Sequence, residues 1–196
     1  MVSTTPFFAR LLKSLLATLL ALLLCSEAAA QHFRRAEILF THERVGVTAF
    51  SNIVLPAPLD EALHRGLPLP FVYEFHLSHP RTRFAYRLLG NWIKPTASLQ
   101  FRLSYQSLTG AYRLTSGSLT RSFATQGDAL AAMGVIHDWI VVPQRTQSPS
   151  TIAGMLRFRL DQSRLPQHYQ MTALGAHEWE LDSGWVNLSE ETPWAE

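Results

Sequence analysis

From Phe71 to Ser78 the chain alternates without a break. Phe71, Tyr73, Phe75 and Leu77 fall on one side, and Val72, Glu74, His76 and Ser78 on the other. A period of two held this long specifies an extended strand, because successive side chains of a strand point to opposite faces. The second side is polar enough to read as the solvent-facing side of a half-buried antiparallel strand. Leu99 to Tyr105 repeats the pattern, with Leu99, Phe101, Leu103 and Tyr105 inward and Gln100, Arg102, Ser104 and Gln106 outward.

The rest of the chain is punctuated at strand length. Ala36 to His42 and Val45 to Leu55 read as two strands around Glu43-Arg44. Phe84 to Trp92 reads as another. Thr109-Gly110 predicts a hairpin turn into Ala111 to Thr115, and Ser116-Gly117 a second turn before Ser118 to Phe123. Val135 to Val142 is a strand ended by Pro143, and Gln144 to Ser150 is a polar loop. In Thr151 to Leu160, Ile152, Leu156, Phe158 and Leu160 share one face and Arg157 and Arg159 the other.

Two short helices interrupt the strands. Pro56-Ala57-Pro58 opens the first, with Leu59, Ala62 and Leu63 on one side and Asp60 and Glu61 in the first turn; Gly66 and Pro68 close it. Thr125 caps the second with Asp128 three residues on, and Gly134 stops it. Strands joined by tight turns must run antiparallel. The expectation is a mainly β, antiparallel, sandwich-like domain with two short peripheral helices.

Residues 1–30 do not belong to that pattern. Arg10 and Lys13 precede a run from Leu15 to Cys25 that is apolar but for Thr18, and Ala28-Ala29-Ala30 follows. This is the layout of a cleavable secretory signal. The run is about half of the ~20 apolar residues that a spanning helix needs. The expected cut is after Ala30, leaving residues 31–196 as a single β-rich domain, secreted into a bacterial periplasm, with no transmembrane segment. A retained anchor is the alternative.

Composition then narrows the chemistry. Removing Arg10, Lys13 and Glu27 leaves 15 basic and 14 acidic residues of the 17 and 15 in the whole chain. A balance this close to neutral argues against a nucleic-acid binder. The single cysteine, Cys25, lies in the leader. The remaining domain then has no disulfide, thiol nucleophile or thiolate metal site. The eight histidines include no pair two or four residues apart, the spacings that bring metal ligands together on a strand or helix. No nucleophile elbow and no phosphate-binding glycine loop occurs. No cofactor and no catalytic set is expected. The one acid–base candidate is Glu74 with His76, two residues apart on one strand side. The clean alternation favours reading both as solvent-facing.

Surface contacts are the remaining candidates. Arg81, Arg83 and Arg87 cluster around Pro80, where they can meet phospholipid or an acidic partner. Trp185 and Trp194, near Glu190-Glu191, are interface candidates because tryptophan is enriched at binding hot spots. Packing of the tail across the sheet is the simpler role for Trp185.

Five segments taken in order carry a resemblance. Leu59-Asp60-Glu61-Ala62-Leu63-His64-Arg65-Gly66-Leu67-Pro68-Leu69 runs into the aromatic strand. Arg102-Leu103-Ser104-Tyr105 leads through Leu108-Thr109 to Tyr112-Arg113-Leu114. Ser122-Phe123-Ala124-Thr125 precedes the second helix. Arg159-Leu160-Asp161 leads to Ser163-Arg164-Leu165-Pro166, and Thr172-Ala173-Leu174-Gly175 follows. This set resembles the DUF4390 family of proteobacterial exported proteins over nearly the whole of residues 31–196. The chain departs from the pattern at Thr172, where asparagine is expected, and is poorer in tryptophan after Pro80. The resemblance implies no defined activity; it implies genes lying beside a membrane sensor kinase of the nitrogen-regulation type. The resulting expectation is a non-enzymatic module that binds an envelope or membrane-protein partner. A small-ligand or lipid-binding domain and a hydrolase with a non-local site are the alternatives.

Overall fold

The computed structural model describes residues 33–40, 44–78, 95–142, 153–173, 176 and 179–190. The leader Met1–Ala30, the strand expected at Phe84–Trp92 and the loop expected at Gln144–Ser150 lie outside them, as do Leu174, Gly175 and Trp194.

Two sheets face each other. The first holds β1 (Phe33–Phe40), β2 (Val45–Ser51), β7 (Val135–Val142) and a short β10 (Ser189–Glu190), in the order β10-β1-β2-β7. The second holds β3 (Leu69–Ser78), β4 (Ala97–Gln106), β5 (Ala111–Ser116), β6 (Leu119–Phe123), β8 (Ala153–Leu160) and a short β9 (Val186–Asn187), in the order β6-β5-β4-β3-β8-β9. The pairings are antiparallel, except that β10 lies parallel to β1. The domain is mainly β and sandwich-like, as the strand pattern requires.

The alternating aromatic side chains fill the space between the sheets. Phe71, Tyr73 and Phe75 from β3, and Leu156 and Phe158 from β8, meet Ile38, Val47, Ala49 and Ile136 from the first sheet. Each such side chain contributes about 1.5–3 kcal/mol by leaving water. The sheets approach closely at Gly154. A Cβ there would sit 2.8 Å from Ile38 Cδ1, 2.9 Å from Leu188 Cδ1 and 3.0 Å from Phe75 Cε2. Tyr73 carries its hydroxyl into this core, donating to the Met133 carbonyl at 3.1 Å and pairing with Ser51 Oγ at 2.9 Å. Burial pushes that hydroxyl well above its ordinary pKa, against the pull of Ser51.

Both expected helices form. In α1 (Ala57–His64), Leu59, Ala62 and Leu63 are buried, and the proline-rich start costs nothing because first-turn N–H groups lack helical partners anyway. It ends in a Schellman motif: Leu67 N donates to Ala62 O and Gly66 N to Leu63 O, with Gly66 at φ +89°. In α2 (Gln126–Met133), Thr125 Oγ1 accepts from Asp128 N at 3.1 Å, as the cap predicts. Gly134 does follow the last turn, but at φ −73° it is not a left-handed cap. Its role is close approach: a Cβ would lie 2.3 Å from Ser51 O, and Ser51 N donates to Gly134 O at 2.8 Å.

A third helix, α3 (Gln167–Ala173), follows a single 3-10 turn at Gln162–Arg164. Tyr169 N and Gln170 N donate to the Pro166 carbonyl at its start. Its sequence has no apolar stripe, so periodicity could not reveal it. Among the described residues no helix is long and apolar enough to cross a membrane. After α3 the chain lies against β8 as β9 and reaches β1 as β10, with Leu188 buried between the two.

One expectation fails in β3. Its polar side does not face solvent: Val72, Glu74 and His76 are 4%, 8% and 2% exposed. Register places Arg159, Arg157 and Met155 of β8 beside them on that outer face. The segment around Asp182 to Trp185 contributes further cover, since Asp182 bonds Arg157 and the Trp185 ring packs at a tilt against His76. Neighbouring segments, not the alternation itself, decide whether the second side is wet.

Candidate functional site

Of the residues singled out by sequence, Arg81, Arg83 and Arg87 lie outside the described residues. Trp185 is half-buried and used for packing. Its ring lies 4.7 Å from that of His76, and the Arg157 guanidinium stands 5.7 Å from its centre. Its indole Nε1 is buried without a hydrogen-bond partner among the described residues. Glu74 and His76 do share a face, but both Glu74 oxygens accept from Arg159, at 3.1 Å from Nε and 2.6 Å from Nη2. Asp182 receives Arg157 in the same forked manner, with Nε at 2.8 and 3.0 Å from its two oxygens. For Arg159, burial lowers the pKa, yet the Glu74 hydrogen bond and the fields of Glu74, Asp161 and Asp182 outweigh it. The net direction is upward, so the guanidinium stays charged. A carboxylate held at both oxygens by a guanidinium is tied into the sheet rather than aimed at a substrate. This outer face reads as a clamp that fastens the C-terminal segment to β8.

A second polar cluster went unseen in the sequence because it joins residues 48 apart. His64 Nδ1 donates to the Asp60 carbonyl at 2.9 Å, and its Nε2 shares a hydrogen bond with the Tyr112 hydroxyl at 2.8 Å. Gln126 Nε2 donates to Asp60 Oδ1 at 2.7 Å. The Tyr105 ring lies 5.0 Å from His64 and 4.9 Å from Tyr112. Burial, Tyr105 and the Asp60 charge all push the Tyr112 hydroxyl upward, so it remains a neutral donor rather than a nucleophile. The cluster ties α1 and α2 to the β4–β5 hairpin. Among the described residues no group of three or more His, Cys, Asp or Glu is placed to hold a metal ion.

The second sheet differs sharply at its other end. Gly110 (φ +66°) and Gly117 (φ +57°) turn the chain tightly, so β4, β5 and β6 form a meander. Gly117 at positive φ followed by Ser118 at negative φ matches a two-residue II′ turn. In such a hairpin Ser116 and Leu119 form the hydrogen-bonded pair next to the turn. Alternation then leaves the backbone N–H and C=O of Thr120 and Ser122 facing away from β5. The close side-chain contact between Thr115 and Thr120 hydroxyls, 3.1 Å, agrees with a non-hydrogen-bonded pair. Among the described residues nothing pairs with the far side of β6.

The inner side of this meander rests on α2, through Ala129, Leu130 and Met133 against Tyr112 and Leu114. Among the described residues no element covers its outer side. Register puts Ser98, Gln100, Arg102, Ser104, Gln106, Ala111, Arg113, Thr115, Thr120 and Ser122 there, two cations and no acid. Arg102 and Arg113 are exposed and make no ion pair or hydrogen bond among the described residues. Arg121 stands on the inner side of the edge, 5.2 Å over the Phe123 ring. A groove of ≈ 240 Å³ lies beside Arg102, lined also by Gln100, Thr115, Gly117 and Arg164.

No curated protein and no solved structure matches this chain. The model of one family, described as a domain of unknown function, matches residues 28–189, in keeping with the ordered segments read in the sequence. The chain belongs to the DUF4390 family.

Proposed function

We propose that this chain is exported through its N-terminal segment and acts in a bacterial periplasm as a non-enzymatic module that binds a protein partner of the envelope. The observation that carries this reading is β6. It is an edge strand exposed on both faces over Leu119–Ser122, and among the described residues its outer backbone groups and the arginines alongside have no partner. Natural proteins usually cover or blunt such edges, because an open ladder recruits another strand. A partner that completes the ladder explains why this one is left open. The leader-like pattern of Met1–Ala30 supports an encounter outside the cytoplasm.

The rival readings have less behind them. The groove beside Arg102, at ≈ 240 Å³ and with several polar lining residues, is smaller than the ~300–1,000 Å³ of ordinary small-ligand pockets. The hydrolase reading relies on Glu74, whose oxygens are both engaged by Arg159.

The test is photo-crosslinking in the cell from Thr120 and from Ser122, with exposed Met171 as the control position. One discrete envelope protein joined to both β6 positions and not to Met171 is the expected result. An identical pattern from all three positions, or none from β6, overturns the reading. Terminal sequencing of the same material should find Gln31 first.

A further inference from the structure

We infer that the segment received by β6 is an extended, acidic stretch of the partner polypeptide, added as a further strand of the second sheet. This rests on the binding role proposed above and specifies the chemistry of the partner.

Backbone and charge set independent requirements. The N–H and C=O groups of Thr120 and Ser122 face outward, and only an extended chain presents its own groups at matching spacing. Side chains of that chain would alternate between the two faces of the sheet. On the inner face the neighbour across the new ladder is Arg121, exposed and lying over Phe123. On the outer face the new strand lies beside Thr120 and Ser122, small residues, with Arg113 of β5 opposite Ser122 in register and Arg102 one strand farther in. Both faces therefore present guanidinium groups, and neither β5 nor β6 carries an acid. A lysine-rich strand would set like charges across the ladder. An apolar one would leave these arginines unpaired. Carboxylates at alternate positions satisfy both faces, and arginine binds them in forked geometry.

The contrast with β8 supports this assignment. There Arg157 and Arg159 point to the same outer side of the same sheet, and each is met by a carboxylate, from Asp182 and Glu74. Arg102 and Arg113 stand on that same outer side, on β4 and β5, and neither strand carries an acid.

The test uses the full chain with two short capped peptides of identical alternating pattern, Thr/Glu in one and Thr/Lys in the other. Backbone amide NMR shifts report the site. The Thr/Glu peptide should shift the amides of Leu119–Phe123 and leave β8 unmoved, and its binding should weaken about tenfold in the R113E/R121E double variant or at high salt. The same variant should gain binding of the Thr/Lys peptide, which keeps the test informative even if wild-type affinity is modest. Equal binding of both peptides by the wild-type chain, or no shift in β6 with the acidic one, overturns the inference. Crosslinking from Thr120 and Ser122 to a basic or helical segment of a partner would overturn it while leaving the binding role intact.

Discussion

The second sheet carries two outer faces that begin from the same pattern and end differently. Across β3 and β8, the outward residues Glu74, His76, Arg157 and Arg159 are buried or half-buried, and each charge there has a partner. Across β4, β5 and β6, the outward residues Gln100, Arg102 and Arg113 are exposed, and the two arginines have no acid on their face. The period-two alternation is equally clean in β3 and β4. The difference comes from the C-terminal segment, whose described residues lie against β8 and not against β5 or β6. Covered charges must be paired because an unpaired buried ion is costly, whereas exposed arginines stay solvated at little cost. The two halves thus separate a covered, charge-paired face from an exposed one.

The strongest way to break this comparison is at Glu74. Glu74→Ala removes the two-pronged partner of partly buried Arg159 and leaves it only the more distant Asp161 at 4.0 Å, and a loss of about 2–4 kcal/mol is expected in urea unfolding. A loss below a few tenths would mean the covered face is not what holds the sheet. Next comes Trp185→Ala, which strips a ring from His76 and Arg157. A cost of about 1–3 kcal/mol is expected. Hydrogen exchange should quicken in β8 and β9 while β5 and β6 keep their rates. Uniform quickening would argue against two independent halves.

Tyr73 sharpens the core side of the comparison through pH. Its folded-state pKa is raised above the ordinary 10.0 by burial. The unfolded chain therefore ionises this phenol first. The stability it contributes is intact below pH 10.0 and is lost as pH rises toward the folded value. Tyr73→Phe, which loses the bonds to Ser51 and Met133, should cost about 1 kcal/mol near neutrality. The gap to wild type should narrow in alkaline unfolding titrations. The smallest effect belongs to the open half. Arg102→Ala and Arg113→Ala should each change stability by less than about 0.5 kcal/mol, since neither removes a paired group. A cost comparable to Glu74→Ala would mean that the bare face is structurally engaged after all.

Much of the fold was legible residue by residue. Alternation located β3, β4 and the apolar side of β8, and Thr125 and the prolines marked both helix starts. Other features left no local trace. Helix α3 has no apolar stripe, and Gly134 looked like a helix stop although its requirement is the nearness of Ser51 O. The His64–Tyr112 bond joins residues that no spacing rule connects. The candidate surface was also missed. Arg113 and Arg121 were unremarkable in a strand-rich sequence until the sheet order made β6 an edge and the register put no acid beside them.

By itself, the sequence determined which stretches are extended and which of their sides must be apolar, because side-chain periodicity is a property of the backbone. It also determined where the chain turns, because Gly66, Gly110 and Gly117 adopt a φ that other residues resist. Tertiary structure alone decided which polar sides stay wet. That depends on what lies across them: Asp182 and Trp185 cover residues of β3 and β8 that are remote in the chain, and nothing described covers those of β5 and β6. Burial is a relation between segments, and no single segment encodes it.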